Sequence, residues 1–469
     1  MRFNTIIILL FSFSLFLEAE NFNKDSGFRL EVAMSAGRVG ETVYLLKYWE
    51  GNTYIQDSVS VSAQGTALFT SADNLPGGQY LVYVKPDIKL ELLIDREQSN
   101  IKVYVDEQDI MQSKVEGNSD TELFWKYLLA LDKYMNEDFA LDDMLEKSNI
   151  TETERTDISK KKTFVSEQLN AYMLSQIEQH KGTWFSDFVK GTMSPELPAD
   201  LFRTAEDLDK NRAYLKEHYF DNIDLTDPRF WNTNYFPSYL DAYMKSVVEQ
   251  EPDSLAAAAG WLVAKAMQND FCFEKMLSRF VNESIESQVM GVENVWMYLY
   301  ETYIRGKNIE WIDKSQLGEL ERQYVQSEHN RIGVKAHDLE LQTIGGDKIN
   351  IYDVQSDYIL LYFYNPTCDY CEKELPYIYN VYKEYKDKGL EVMAIDISTD
   401  AGLWKSFVEK LGIKDWINCA DAEYKSNFWM YYDVSTTPAT FLLDKNRKII
   451  ARKVNKDGLV KTLNYYIDK

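Results

Sequence analysis

Cysteine is scarce in this chain, with 4 in 469 residues, and so are histidine, also 4, and proline, 10. Four cysteines cannot staple a protein of this length, so folding rests on hydrophobic cores, for which a 45% apolar composition is ample. The histidines His180, His218, His329 and His337 show no H-x-x-x-H spacing and none adjoins a cysteine, which leaves a catalytic metal unsupported. No G-x-S-x-G, P-loop or G-x-G-x-x-G stands at a strand-to-helix junction. Hydrolase, kinase and nucleotide-dependent chemistry lose their usual signatures together. Basic charge is short as well: 51 Lys and Arg face 75 Asp and Glu, a formal net charge of −24. Such a surface repels phosphate backbones and anionic lipid at long range, so nucleic acid and the membrane face are poor partners. After residue 17 no apolar run approaches the roughly 20 residues of a membrane span.

What is present begins with an export pattern. Arg2 precedes the apolar run Thr5 to Leu17, and Ala19 offers a cleavage point, so residues 1–19 are expected to be a secretory signal peptide. Its removal takes away Arg2 and Glu18 and leaves the charge balance unchanged. No cysteine follows the run to carry a lipid anchor, and no stable membrane insertion is expected after cleavage.

Residues 20–117 read as an all-β, sandwich-like domain. Ile88, Leu90, Leu92 and Ile94 alternate with polar neighbours, Ile101, Val103 and Val105 do the same, and Gly37, Gly40, Gly51, Gly65, Gly77 and Gly78 mark turns. It carries no catalytic constellation; docking, spacing and plain architecture all remain open for it. Residues 118–328 read as an α-helical domain. A Ser119/Glu122 capping box precedes a helical face of Leu123, Phe124, Tyr127, Leu128 and Leu131, and a second box, Thr151/Glu154, opens another helix. The run Pro228 to Tyr239 is rich in aromatics; it can form a stacking surface for a peptide or sugar, though such side chains more often fill a core. Acidic clusters such as Glu137-Asp138 and Asp142-Asp143 read as solvated helix faces.

From residue 329 to 469 strands and helices alternate, which predicts an α/β domain with a central sheet and helices on both faces. The expected elements include strands at Tyr358–Tyr364 and Leu390–Ile397, a helix from Asp369 to Lys388 and another over Glu423 to Tyr431. The strand at 358–364 runs into Cys368-Asp-Tyr-Cys371 just as the helical pattern starts. In an exported chain a bridge across so short a loop stabilises little, so the pair reads as redox-active. Zinc would need two further ligands, and there is no second C-x-x-C.

Several features in order carry a resemblance: the β run into C-D-Y-C, its continuation C-E-K-E-L-P, the strand G-L-E-V-M-A-I-D-I, and T-T-P-A-T-F-L-L-D. Together they resemble the thioredoxin superfamily, and within it the exported TlpA/ResA-type thiol-disulfide oxidoreductases. The β and helical regions upstream are similar, by position and architecture, to accessory regions of multidomain envelope oxidoreductases.

The resemblance implies a C-terminal thioredoxin-like fold, a periplasmic or envelope location and no bound cofactor. It also implies disulfide-containing exported proteins as substrates, apocytochromes among the candidates, and a membrane thiol donor for re-reduction. Cys368 becomes the attacking sulfur at a helix start that favours its thiolate, and Cys371 the resolving sulfur one turn on. Glu374, three residues after Cys371, is the proton-handling acid, with a solvated helix carboxylate as the alternative. Thr437-Pro438 is the cis-proline loop that presents the substrate backbone, and Pro376 lies within the active-site helix.

Departures from the family pattern are Tyr362 where thioredoxins carry a buried Asp, Thr367 where Trp often precedes the first cysteine, and Tyr370 in place of Pro. Asp369 between the cysteines opposes thiolate formation, so a reducing rather than strongly oxidising couple is expected. Cys419 reads as a third redox sulfur or a small buried residue, and Cys272 as core. A peroxidase frame fails: the Pro and Thr it requires are Leu361 and Asn365 counted from Cys368, and Tyr364 and Cys368 counted from Cys371. The other competing function is a redox-silent envelope binding protein built on the same scaffold.

Overall fold

The computed structural model describes residues 27–467 apart from 97, 99, 148–149, 196–206, 288, 290, 399 and 422. The expected signal peptide, residues 1–19, lies outside the described residues. Two compact units make up the described chain, one holding residues 27–249 and 261–276, the other 250–260 and 277–467.

The first unit begins with β1 (Arg29–Ala33), β2 (Thr42–Trp49), β3 (Asn52–Ser60), β4 (Thr66–Thr70), β5 (Gly78–Val84), β6 (Ile88–Ile94), β7 (Asn100–Tyr104) and β8 (Lys114–Glu116). They form two four-stranded sheets, ordered β4-β1-β7-β8 and β3-β2-β5-β6. Alternate residues of both sheets, among them Leu30, Val32, Phe69, Ile101 and Val103 from one and Val43, Tyr80, Val82, Leu90 and Leu92 from the other, share one core. The period-2 apolar pattern thus becomes a two-layer sandwich.

Helices follow in the chain: α1 (Ser119–Leu145), α2 (Glu152–Gln179), α3 (Trp184–Thr192), α4 (Asp207–His218) and α5 (Phe236–Ala242), then α6 (Pro252–Ala266) and α7 (Asp270–Glu286), each of which has residues in both units. The Thr151/Glu154 box caps α2, but α1 is capped differently from expectation. Asn118, not Ser119, is its N-cap: Oδ1 accepts from Thr121 N at 2.9 Å, while Nδ2 donates to the Leu93 carbonyl at 2.8 Å. Asparagine wins because one amide both caps α1 and satisfies β6, which a serine hydroxyl one residue later cannot reach. Asn118→Ala is therefore expected to destabilise this unit by about 1–2 kcal/mol, read as a lower denaturant midpoint at unchanged slope. In the aromatic run, Phe230, Trp231 and Phe236 are buried and Phe230 packs edge-on to Trp184 at 5.3 Å, so these side chains fill a core. Cys272 is buried too, and burial pushes its thiol up to about 12.

In the second unit, α8 (Glu293–Leu299) and α9 (Lys314–Ser327) precede the α/β region. That region comprises β9 (Glu340–Thr343), β10 (Lys348–Asn350), β11 (Tyr358–Tyr364), α10 (Asp369–Tyr385), β12 (Leu390–Asp396), α11 (Ala401–Leu411), β13 (Ile417–Ala420), α12 (Phe428–Tyr431), β14 (Ala439–Leu443), β15 (Ile449–Arg452) and α13 (Lys456–Ile467). The seven strands are ordered β10-β9-β13-β12-β11-β14-β15, with β11, β12 and β13 parallel and β14 antiparallel to β11.

One expectation needs correction here. The helix expected over 423–431 is only the single turn α12; Asp421 accepts from Lys425 N, Ser426 N and Ser426 Oγ, holding the preceding residues in a side-chain-bonded loop instead. Helices lie on both faces of the sheet, but the long ones lie on one. Leu375 and Ile378 of α10, Trp404 and Phe407 of α11, and Leu459 and Leu463 of α13 share one core. The order β11, β12, β13 steps in one direction, so successive right-handed crossovers put both connecting helices on the same side. The opposite face is closed by α12 and by residues such as Leu339, Ile351 and Val354.

Candidate active site

Strand β11 is apolar on both faces, as a central strand must be. Ile359, Leu361 and Phe363 point into one core, while Leu360, Tyr362 and Tyr364 point toward α10. The chain leaves β11 through a turn held by Asn365, whose Oδ1 accepts from Thr367 N at 2.9 Å and Thr367 Oγ1 at 2.8 Å and whose carbonyl accepts from Cys368 N at 2.9 Å. Cys368 is thereby delivered to the N-cap of α10.

At that position the sulfur does the work usually left to a capping oxygen: Cys368 Sγ accepts from Cys371 N at 3.2 Å. Cys371, one turn in, is buried, and its Sγ lies 2.6 Å from that of Cys368. Across the site the Thr437–Pro438 peptide is cis, and the Thr437 carbonyl lies 3.4 Å from Cys368 Sγ. Both cysteines and the Thr437-Pro438 loop thus come together in space.

The two sulfurs differ in their electrostatics. Burial opposes charge on Cys368, but hydrogen bonds from the Cys371 thiol, from Thr437 and from the backbone of Cys371 and Tyr370 outweigh it. The thiol therefore ends below its ordinary value, even though its protonated form has the Thr437 carbonyl as a partner. Burial first, then the hydrogen bond to Cys368, push Cys371 up to about 12. One sulfur is poised as a nucleophile and its neighbour stays protonated. Such a pair can attack a disulfide through the first sulfur and close the exchange through the second.

Glu374 lies on α10 nearly a full turn beyond Cys371, and partial burial raises its carboxyl above the usual value. It makes no hydrogen bond to either sulfur among the described residues. Asp369, Thr367 and Tyr370 are exposed, Tyr370 at 61%. Cys419, on β13, is wholly buried with its Sγ 3.6 Å from the Ala394 carbonyl, and burial holds its thiol protonated; it is not brought to the pair.

One neighbour of the pair was treated by sequence reasoning only as a missing acid. Tyr362 is fully buried on the face of β11 toward α10, in the same core as Cys371, and its hydroxyl has no hydrogen-bond partner among the described residues. The signal was present in the period-2 alternation of 360, 362 and 364. Among the described residues no group of three or more His, Cys, Asp or Glu side chains is placed to hold a metal ion, and no helix is long and apolar enough to cross a membrane.

Comparison with known proteins gives a consistent likeness. The AhpC/TSA family model matches residues 332–452. The thiol-disulfide oxidoreductase ResA of Bacillus thuringiensis (strain Al Hakam) is 29% identical over 133 residues, covering 28% of this chain and 75% of the relative. ResA of Bacillus subtilis (strain 168) is 28% identical over 119 residues, 25% of this chain and 64% of the relative. Among solved structures, a domain of a possible thiol-disulfide isomerase from Cytophaga hutchinsonii is 31% identical, with TM-score 0.28, covering 29% of this chain and 93% of that one. A thioredoxin-like protein from Bacteroides caccae is 18% identical with TM-score 0.41, covering 59% of this chain and 99% of that one.

Proposed function

Because the chain belongs to the TlpA/ResA-type thiol-disulfide oxidoreductases of the thioredoxin superfamily, we propose that it is an exported enzyme that reduces or exchanges disulfides in envelope proteins through Cys368 and Cys371. The observation that carries this reading is the asymmetry of the pair. Cys368 caps α10 with its sulfur and is held below its ordinary pKa, while Cys371, 2.6 Å away, is buried and held protonated.

In the first half of the reaction the Cys368 thiolate attacks one sulfur of the substrate disulfide. A Cys368–substrate bond forms, and the other substrate sulfur leaves as a thiolate with the electron pair. In the second half Cys371 loses its proton and attacks Cys368 Sγ, which releases the rest of the substrate and leaves a Cys368–Cys371 disulfide. A thiol donor, at the membrane in this reading, must then return two electrons. Glu374 is the base that takes the Cys371 proton, since a half-buried carboxyl with a raised pKa is better matched to a thiol than a solvated one. Thr437 and Pro438 present the substrate chain opposite Cys368. The signal pattern expected at residues 1–19 and the −24 charge are in keeping with an exported protein.

The test is whether the reduced full-length protein cleaves a model protein disulfide with loss of two of its own thiols per event. Stoichiometric cleavage that disappears in Cys368→Ser supports the reading. No cleavage by the fully reduced wild type overturns it in favour of a redox-silent binding protein.

A further inference from the structure

The segment that joins α9 to β9 is fixed by its own backbone before it meets the site. Asn330 N donates to the Ser327 carbonyl at 2.9 Å, which turns the chain at the end of α9. Gly333 N then donates to the Ile449 carbonyl at 2.8 Å, Ile449 N to that of Val334 at 2.9 Å, and Ala336 N to that of Arg447 at 2.8 Å. Residues 333–336 therefore lie along the start of β15.

Three successive residues on the way to Thr437 rest on this segment. The Tyr431 ring stacks on His337 with the centroids 3.4 Å apart. The Tyr432 hydroxyl donates to the His337 carbonyl, and Asp433 N donates to Asn330 Oδ1 at 2.8 Å. Asn330 is buried. Beyond Asp433 the ties are side-chain ones: its carboxylate accepts from Ser435 Oγ at 2.6 Å and pairs with Lys453 at 3.0 Å. Among the described residues, 434–437 make no backbone-to-backbone hydrogen bond, and β14 begins only at Ala439. The Asp433 amide is thus the last main-chain group tied to another part of the fold before the Thr437 carbonyl, which lies 3.4 Å from Cys368 Sγ.

We propose that Asn330 is a positioning residue for disulfide exchange: its side-chain oxygen holds the Asp433 amide and so sets where the Thr437–Pro438 loop presents a substrate chain to Cys368. The inference rests on the oxidoreductase reading above and adds to it the post that carries the substrate loop. Asn330 acts only through Asp433, without touching either sulfur. Its bond is made to a main-chain amide, so it fixes the path of the chain itself. A loop with few bonds of its own takes its position from such a fixed point, and a small misplacement at a site is felt in binding and rate. The hold matters only for a substrate that lies along the loop. A small disulfide with no peptide chain reaches Cys368 without it.

The test compares two disulfides on the full-length protein: one joining two short extended peptides, and oxidised mercaptoethanol, which has no peptide backbone. Reduced protein, freed of its reductant, is mixed with excess disulfide, and a single turnover is followed as the disulfide concentration is raised. Asn330→Ala is expected to raise the half-saturating concentration of the peptide disulfide about tenfold, the scale of one lost hydrogen bond. The limiting rate should stay within about twofold, as for a loss of uniform binding, and the rate with oxidised mercaptoethanol should not change. Equal losses with both disulfides would mean general damage to the fold and overturn the proposal. Unchanged behaviour with both overturns it as well. Failure of the wild type to cleave either disulfide is the separate result that removes the oxidoreductase reading itself. If N330A does not fold, amide exchange in the wild type decides. The Asp433 amide must be protected, and more so when the same peptide pair, with a thioether in place of the disulfide, is bound. An amide that exchanges freely, or one indifferent to the peptide, overturns the proposal.

Discussion

Replacing Cys371 with Ser is expected to turn the protein into a covalent trap, with turnover of a protein disulfide falling by roughly 10³-fold or more. The first attack needs only Cys368, whose thiolate is favoured by hydrogen bonds that survive the change, the Cys371 backbone N–H among them. The second step needs a sulfur at the position now 2.6 Å from Cys368 Sγ, and a serine hydroxyl cannot replace it as a nucleophile toward a disulfide. Substrates should therefore accumulate as mixed disulfides on Cys368. They should be recovered with the envelope fraction, visible as non-reducing adducts that collapse on reduction and are absent from the Cys368→Ser, Cys371→Ser double variant. Recovery of the same adducts from that double variant would place the chemistry on Cys272 or Cys419. That outcome conflicts with the burial of both.

The second large effect is on stability. Phe363 is fully buried on the face of β11 away from Cys371, with its ring 5.2 Å from Tyr432 and 6.0 Å from both Phe428 and Phe441. These neighbours come from α12, the residue after it and β14, which leaves little freedom to collapse around a lost ring. Phe363→Ala is expected to cost about 3–5 kcal/mol. Because the chain contains two compact units, a single melting point is a poor reading. Hydrogen exchange at the β11 and β12 amides reports the site locally, and protection there should fall by about two to three and a half decades, each decade being about 1.4 kcal/mol. A loss below about 1 kcal/mol would mean that this face of the sheet does not hold β11 in place. Tyr362→Phe on the other face removes a buried hydroxyl that has no partner among the described residues, so it should raise protection or leave it unchanged, never lower it.

Much of this was legible from local pattern. The alternation at 88–94 and 101–105 became strands of the sandwich, the Thr151/Glu154 box became a helix cap, and the apolar run ending at C-D-Y-C became a central strand feeding a helix N-terminus. Each of these signals depends on residues within a few positions of one another. What was misread or not legible depends on contacts that are distant in sequence. Asn118 displaces Ser119 as a cap because Leu93, 25 residues earlier, needs a donor. Residues before Phe428 leave the helical pattern because Asp421 binds the Lys425 and Ser426 amides. The long helices fall on one face because of strand order, which no local window contains. Tyr362 was legible as a departure from the family pattern but not as a buried hydroxyl in the core of Cys371, since that requires β11 and α10 to be packed together.

An oxidoreductase of this kind requires Cys368 and Cys371 to form a reversible two-electron couple. The direct measurement is equilibration of the full-length protein across a series of thiol-disulfide buffers, with acid quenching and peptide mass analysis of all four cysteines. The expected result is a single transition in which only the peptide holding Cys368 and Cys371 loses two hydrogens, at a potential nearer the about −270 mV of thioredoxin than the about −120 mV of strong oxidants. Two thiols that stay reduced across the whole series, or oxidation that involves Cys272 or Cys419 instead, would contradict it.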